Sequence, residues 1–134
     1  MIYLDACALV KFIKPEKESE ALRTWRIALP EGTELISSEL ALLEITRALL
    51  RGGVDHTRVP FYVGQAVRGV YIIDLSSTVL DRARSYQVAK LGSLDAIHLA
   101  SADPFRTELT EFVTYDGELT TAASDLGFPI SAPA

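Results

Sequence analysis

The chain has 134 residues, and its composition of 49% hydrophobic and 23% charged residues excludes a disordered chain and predicts one domain over residues 1–134. Its net charge of −5 argues against a generally basic nucleic-acid-binding surface. The single cysteine, Cys7, excludes an internal disulfide framework and a Cys/His zinc site. No segment resembles a membrane span or a signal peptide, so we expect a soluble, cytoplasmic protein that does not contact membranes.

Short β-branched segments alternate with longer helical segments in the first half of the chain. Strands are predicted at IYL (2–4) and ELIS (34–37). Helices are predicted over 6–13, 17–28 and 39–51, the last capped by Ser38 and ended by Gly52 and Gly53.

The second half of the chain continues this alternation. Its predicted helices are 58–68 capped by Thr57, a helix from Ser76 or Ser77 to about Lys90, 94–102 capped by Ser93, and 118–125. Its predicted strands are 70–75, 111–115 and a short one at 128–130, and residues 130–134 are expected to form a frayed tail.

Strands that alternate with helices predict an α/β fold whose parallel sheet is covered on both faces. Ligands of such sheets bind beyond the carboxyl ends of the strands. Asp5 directly follows the first predicted strand, and Asp116 directly follows the fourth. We therefore expect these two carboxylates to meet at one edge of the sheet. Each could instead serve only as the N-cap of the helix that follows it.

Two further acids occupy unusual positions on predicted helices. Glu44 lies beside an apolar helix face, although it could simply pair with Arg47 or Arg51 on its own helix. Asp95 lies in the first turn of its helix, where an acid complements the helix dipole and could assist the cap at Ser93. Each acid is therefore ambiguous when it is considered alone.

A cluster of carboxylates without an inserted basic residue predicts a bound cation. Carboxylates within a few ångströms of each other cannot all stay ionised unless a cation joins them. Ligand sets made only of oxygen atoms select hard cations such as Mg²⁺ or Mn²⁺. Such ions assist phosphoryl chemistry by orienting a phosphate and stabilising the leaving oxygen.

Four segments of the sequence, YLDACALVK, SELALLEITRAL, LGSLDAIHLASA and FVTYDGEL, resemble the four acidic motifs of PIN-domain ribonucleases. The similarity runs from residue 2 to about residue 128 and is strongest to VapC toxins of VapBC toxin–antitoxin systems. It implies a three-layer α/β/α fold with a short parallel sheet of four to five strands. It also implies that the catalytic and metal-binding residues are Asp5, Glu44, Asp95 and Asp116.

The resemblance further implies a toxin that cuts RNA endonucleolytically with Mg²⁺ or Mn²⁺, leaving a 5′-phosphate and a 3′-hydroxyl. It implies a homodimer that is inhibited by a VapB-type antitoxin, whose C-terminal segment fills the groove. Phosphate contacts would need cations near the site, and Lys11, Lys14, Arg47 and Arg51 lie on the flanking elements. Without the four site acids the net charge is −5 + 4 = −1, so the acidic composition does not exclude RNA.

One position departs from the family pattern. Many relatives have Asp-Thr-Ser after the first strand, whereas this chain has Asp5-Ala6-Cys7. We expect Cys7 to act mainly as a small packed residue, and Thr114 to supply a hydroxyl near Asp116. His98 is expected to be a structural histidine that makes a hydrogen bond, with a general-base role as the weaker alternative.

Two alternative functions remain open at this point. A haloacid-dehalogenase-type phosphatase also begins with a strand that ends in aspartate, but it needs a second aspartate where this chain has Cys7. A degenerate PIN fold kept as a protein-binding module would tolerate the Ala6-Cys7 change, although the presence of all four acids argues against it.

Overall fold

A five-stranded parallel sheet forms the centre of the computed structural model, which describes residues 1–134. The strands are Ile2–Leu4 (β1), Leu35–Ser38 (β2), Val70–Ile73 (β3), Glu111–Val113 (β4) and Ile130–Ser131 (β5). Their order is β3-β2-β1-β4-β5, and every neighbouring pair is parallel. The predicted α/β class is therefore confirmed, and the strand order reverses direction between β1 and β4.

Seven helices connect and cover the strands. They are Ala6–Val10 (α1), Ser19–Ile27 (α2), Glu39–Arg51 (α3), Val59–Ala66 (α4), Ser77–Ser85 (α5), Ser93–Ala102 (α6) and Gly117–Asp125 (α7). The helix predicted over 39–51 is confirmed, with Ser38 as its N-cap. None of the seven has the length and apolar character that a membrane crossing requires.

Two hydrophobic cores lie on opposite faces of the sheet because side chains alternate along each strand. Ile2 and Leu4 pack with residues of α1, α2, α3 and α4 in one core. Tyr3, between them in sequence, packs with residues of α6 and α7 in the other. This arrangement is the expected three-layer α/β/α sandwich, in which apolar burial on both faces stabilises the short strands.

Several predicted helix ends are wrong. The first helix ends at Val10, and residues 11–14 form turns because Pro15 disfavours helical geometry in the residue before it. The amide and hydroxyl of Thr57 bind the Asp55 carboxylate, so Arg58 holds the cap position of α4 instead. α5 ends at Ser85 rather than Lys90.

Local and tertiary contacts explain the remaining differences. Tyr86 adopts extended geometry and donates its hydroxyl to Asp103 at 2.6 Å, which ends α5 early. Ser93 is already the first residue of α6, so the cap is Gly92 and has no side-chain hydrogen bond. The segment 130–134 was expected to fray, but β5 pairs with β4 and the Tyr115 hydroxyl donates to the Pro133 carbonyl at 2.7 Å.

Candidate active site

Asp5 follows β1 directly and is only 3% exposed. Its carboxylate caps α1 by accepting the Ala8 amide at 3.0 Å, and it also accepts the Thr114 hydroxyl at 2.5 Å. Burial raises the pKa of this carboxyl, while the donated hydrogen bonds and His98 act in the opposite direction. Capping and a role in the site are therefore compatible, because the cap uses Oδ1 and the Thr114 contact uses Oδ2.

Thr114 links the acids that follow β1 and β4. Its hydroxyl donates to Asp5 and accepts a hydrogen bond from the Asp116 amide at 3.1 Å. The two strands are neighbours in the sheet, and Leu4 pairs with Val113 at their carboxyl ends. The predicted hydroxyl near Asp116 is therefore present, and it joins the two strand-end acids at the reversal of the strand order.

Asp116 is the exposed counterpart of Asp5. Its Oδ1 atom accepts the amides of Glu118 and Leu119, at 2.9 and 3.2 Å, and so caps α7. The positive end of the helix dipole stabilises a negative charge at this position. Its Oδ2 atom takes no part in these hydrogen bonds, and the residue lines the groove described below.

Glu44 is held by a residue from a distant part of the chain. His98 on α6 contacts Glu44 Oε1 through Nε2 at 2.5 Å, and the Tyr3 hydroxyl contacts His98 Nδ1 at 2.6 Å. Tyr3 is fully buried and His98 is almost so, whereas the Glu44 side chain is 28% exposed. The alternative pairing of Glu44 with Arg47 or Arg51 is not formed.

The hydrogen bonds of His98 assign its role. The Tyr3 hydroxyl lies 2.6 Å from Nδ1 and Glu44 Oε1 lies 2.5 Å from Nε2, so both ring nitrogens of His98 have a hydrogen-bonding partner. His98 thus makes the hydrogen bonds expected of a structural histidine. Tyr3 was missed in the sequence because a tyrosine in an apolar strand has the pattern of any core residue.

Asp95 lies in the first turn of α6, and the pKa of its carboxyl is raised to about 6. Desolvation is the largest cause, followed by the negative charge of Asp116, with smaller contributions from Asp5 and Glu44. His98 partly opposes the shift. Acids from three other segments of the chain thus act electrostatically on the Asp95 carboxyl group.

The donor set suits a hard divalent cation. All four side chains offer carboxylate oxygens, and the charge concentrated around Asp95 is the kind that a cation neutralises. No three Asp, Glu, His or Cys side chains converge closely enough in the structure to form a complete coordination group. The four acids therefore offer hard oxygen donors, but they are spaced more widely than direct ligation of one ion requires.

Cys7 contacts the site rather than packing only against the core. Its thiol donates to Asp5 Oδ1 and Oδ2 at 3.0 and 3.2 Å, and the Tyr115 amide donates to the sulfur at 3.4 Å. Burial and the Asp5 charge raise the pKa of the thiol well above its usual range. Cys7 is therefore a neutral donor to the carboxylate, the role that a hydroxyl would have at this position.

A groove of about 500 Å³ opens beside the acids. Glu44 and Asp116 line it directly, while Asp5 lies outside the lining, in contact with Cys7. The groove also contains the three basic residues Lys11, Lys14 and Arg51. Arg47 takes no part in the groove, so three of the four basic residues that the sequence suggested as phosphate contacts lie in it.

Comparison with known proteins places these features in a family. The PIN domain model matches residues 2–124. Ribonuclease VapC47 of Mycobacterium tuberculosis is 37% identical over 140 residues, covering 99% of this chain and 97% of that protein. Ribonuclease VapC46 of the same species is 37% identical over 132 residues, covering 98% of this chain and 97% of that protein.

Solved structures share the fold at lower identity. The crystal structure of Mycobacterium tuberculosis VapC20, described as a Sarcin-Ricin loop cleaving toxin, has a TM-score of 0.75 at 14% identity, covering 99% of this chain and 100% of that one. VapBC2 from Rickettsia felis, bound to a DNA fragment from its promoter, has a TM-score of 0.73 at 14% identity, with 98% of each chain covered.

Proposed function

This chain belongs to the PIN domain family, and from that premise we propose that it is a divalent-metal-dependent endoribonuclease and the toxin of a VapBC-type pair. The observation that carries the proposal is the match of the PIN domain model to residues 2–124, together with the 37% identity to Ribonuclease VapC47 over 99% of this chain. Family membership also removes the haloacid-dehalogenase alternative, which the cysteine at position 7 already disfavoured.

The proposed metal ligands are Asp5, Glu44, Asp95 and Asp116, directly or through water. Their oxygen atoms suit Mg²⁺ or Mn²⁺. When bound, such an ion supplies Lewis-acid stabilisation of the charge that develops on a phosphodiester during its hydrolysis.

The surrounding residues orient these acids. The Ala8 amide and the Thr114 hydroxyl direct both oxygens of Asp5, and His98 directs Glu44. The start of α7 holds Asp116 at the mouth of the groove. Ligands held in this way lose little conformational freedom when an ion or a phosphate binds.

The substrate we propose is RNA, cut endonucleolytically to leave a 5′-phosphate and a 3′-hydroxyl. The groove beside Glu44 and Asp116 is open along one side of the molecule and carries basic residues that suit a phosphate backbone. Relatives that are named ribonuclease match this chain over nearly their whole length. This similarity supports RNA rather than DNA as the substrate.

We further propose a VapB-type antitoxin as the inhibiting partner, and a homodimer as the working form in the cytoplasm. Structures of toxin–antitoxin complexes, among them VapBC-1 from nontypeable Haemophilus influenzae with a TM-score of 0.73 at 12% identity and 98% of each chain covered, share this fold. The antitoxin would inhibit by filling the groove that the substrate needs.

The test is RNA cleavage by the purified protein in Mg²⁺, in Mn²⁺ and in a chelator, with end-mapping of the products. We expect cleavage with either ion and none in the chelator. Asp5→Asn and Asp95→Asn should each reduce the rate by at least about 1000-fold while the protein remains folded by circular dichroism. The control Asp125→Asn, an exposed acid at the end of α7, should cleave like the wild type. Cleavage that persists in chelator, or in both site variants, would overturn the proposal.

One second candidate, a protein-binding module on a degenerate PIN fold, is favoured by the Cys7 thiol in place of a hydroxyl and by the wide spacing of the acids. It predicts that the wild type cleaves no RNA with either ion but still binds an antitoxin. RNA cleavage by the wild type excludes it.

A further inference from the structure

Residues of α3 form one wall of the groove, and residues of α1 and of the segment after it form the other. Glu44, Ala48 and Arg51 line it from α3, and their i, i+4, i+7 spacing puts them on one helix face. On the opposite wall, Cys7 and Lys14 line the groove from α1 and the turn that follows it. The walls run side by side, because α1 packs against α3.

Charge is separated along these walls. Glu44 and Asp116 mark the acidic end of the groove, next to Cys7 and the Asp5 carboxylate. Arg51 is the last residue of α3, two turns away from Glu44. Lys14 also borders a neighbouring cavity together with Gly52, which places it beside the same end of α3. The groove is therefore acidic at one end and basic at the other.

Only two of the three basic residues in the groove are free to bind a ligand. Lys11 is almost buried, pairs with Glu18 at 2.8 Å and Glu16 at 4.0 Å, and lies over the Tyr115 ring. Lys14 and Arg51 are exposed and make no ion pair. Glu16, the remaining acid in the lining, has its carboxylate 4.0 Å from the Lys11 ammonium group.

The distance between the two ends exceeds the size of one phosphate group. Seven residues of α3 separate Glu44 from Arg51, a rise of about 10 Å along the helix axis. Stacked nucleotides advance about 3.4 Å each along a strand, so this distance corresponds to about three nucleotides. A phosphate bound at Arg51 is therefore a different phosphate from one bound among the acids.

We propose that Lys14 and Arg51 form a phosphate subsite for the RNA backbone, up to about three nucleotides from the bond that is cut. The inference rests on the proposed function for its ligand. The Arg51 guanidinium can bind a phosphate through two parallel N–H groups, and Lys14 adds a second positive charge. The subsite holds the strand along the groove, so that a phosphodiester up to about three nucleotides away lies beside Glu44 and Asp116.

The experiment measures binding separately from cleavage. A fluorescent single-stranded RNA is titrated with Asp95→Asn protein in chelator, at several salt concentrations, with and without the added pair Lys14→Ala/Arg51→Ala. We expect the pair to weaken binding by about tenfold or more at low salt and to reduce the slope of log K against log salt by about 1.4, or about 0.7 per lost contact. Both side chains are exposed, so the variants should fold normally.

Two controls make this result specific. Lys17→Ala/Arg47→Ala removes the same charge from exposed positions outside the groove and should leave the salt slope unchanged. Arg51→Lys keeps the charge and should keep most of the slope. In the otherwise wild-type protein, Lys14→Ala/Arg51→Ala should lower kcat/KM, with a raised KM as the main effect, because these contacts bind the strand before and during cleavage.

The outcomes separate the subsite from the proposed activity. A reduced slope in a protein that cleaves no RNA would support the subsite and count against the nuclease. An unchanged slope, or an equal loss in the Lys17→Ala/Arg47→Ala control, would overturn the subsite whether or not the wild type cleaves RNA.

Discussion

Asp5 and Asp116 each follow a parallel strand and each cap the next helix, but the first is buried and the second is exposed. A similar contrast separates Glu44, held by the buried His98, from Asp95, which is only half-buried and has no hydrogen-bonding partner on its side chain. The site thus has an anchored half, Asp5 and Glu44, and an open half, Asp95 and Asp116.

This difference separates two ways of building a charged site. The anchored acids receive hydrogen bonds from Thr114, Cys7 and His98, which offset part of the cost of burying charge. In the open half, Asp95 has no such compensation, and repulsion from Asp116 adds to its desolvation. We therefore expect changes in the anchored half to destabilise the fold, and neutralisation of Asp95 in the open half to stabilise it.

The largest expected effect on stability comes from His98→Ala. The substitution leaves the Tyr3 hydroxyl without its partner in the core, opens a cavity and frees Glu44. We expect a loss of about 2–4 kcal/mol in the free energy of unfolding and a 10- to 100-fold loss of cleavage. Urea denaturation and cleavage assays measure these effects.

Tyr3→Phe is the matched control for the anchored half. It keeps the contact between His98 and Glu44 and should cost only about 1 kcal/mol, with cleavage nearly unchanged. Equal losses of cleavage in Tyr3→Phe and His98→Ala would show that the loss does not come from breaking the contact between His98 and Glu44.

Thr114→Val tests the connection between the two halves. The nearly isosteric substitution removes the hydroxyl that donates to Asp5 and accepts from the Asp116 amide. We expect a loss of about 2 kcal/mol, measured by urea denaturation, because the buried Asp5 carboxylate loses one donor and the Asp116 amide loses its acceptor. Thr114→Ser keeps the hydroxyl, so its loss in the free energy of unfolding should be about half that of Thr114→Val or less. Equal losses in the two variants would show that the hydroxyl is not the cause.

Asp95→Asn should stabilise the metal-free protein at neutral pH. The folded-state pKa of Asp95 is about 6 and lies above the unfolded value of about 4. The neutral acid therefore contributes fully to the free energy of unfolding below pH 4, and this contribution is lost as the pH rises through 6. The neutral amide avoids this loss. After allowance for solvent screening, we expect a gain of about 1 kcal/mol above pH 6 and no difference below pH 4, measured by urea denaturation across that range.

Asp5→Asn sharpens the same test. An asparagine would place its NH2 group, which cannot accept a hydrogen bond, against a donor from Ala8, Thr114 or Cys7. We therefore expect no gain in stability at any pH. A comparable stabilisation by both variants would contradict the division into an anchored and an open half.

The smallest effect is expected for Cys7→Ser. A serine hydroxyl would donate to Asp5 as the thiol does and would restore the type of residue found in many relatives. We expect a change of less than about 0.5 kcal/mol in unfolding free energy and cleavage equal to or slightly above that of the wild type. A large loss of cleavage would mean that the sulfur itself contributes to the site.

The parts of the site that could be predicted from sequence follow from regular geometry. Parallel strands end at one edge, so Asp5 and Asp116 could be placed together from the strand pattern alone. The bounds of α3 also followed from local signals, Ser38 before it and paired glycines after it. Glu44 and Asp95 needed the family resemblance, because each had an ordinary explanation on its own helix.

The missed features depend on contacts between distant segments. The partner of Glu44 lies 54 residues away at His98, and that histidine is in turn fixed by Tyr3, 95 residues away. The helix α5 ends early because the Tyr86 hydroxyl donates to Asp103. The C-terminal tail is ordered because β5 pairs with the edge of β4 that does not face β1. No local pattern encodes such pairings, since tertiary contacts override the propensities of short segments.

The most direct test of the shared metal site is Mn²⁺ binding measured by electron paramagnetic resonance for the wild type and for Asp5→Asn, Glu44→Gln, Asp95→Asn and Asp116→Asn. We predict that the wild type binds Mn²⁺ and that each of the four substitutions weakens binding by about tenfold or more, while Asp125→Asn binds like the wild type. Wild-type protein that binds no Mn²⁺, or four variants that bind it unchanged, would contradict a cation shared by these acids.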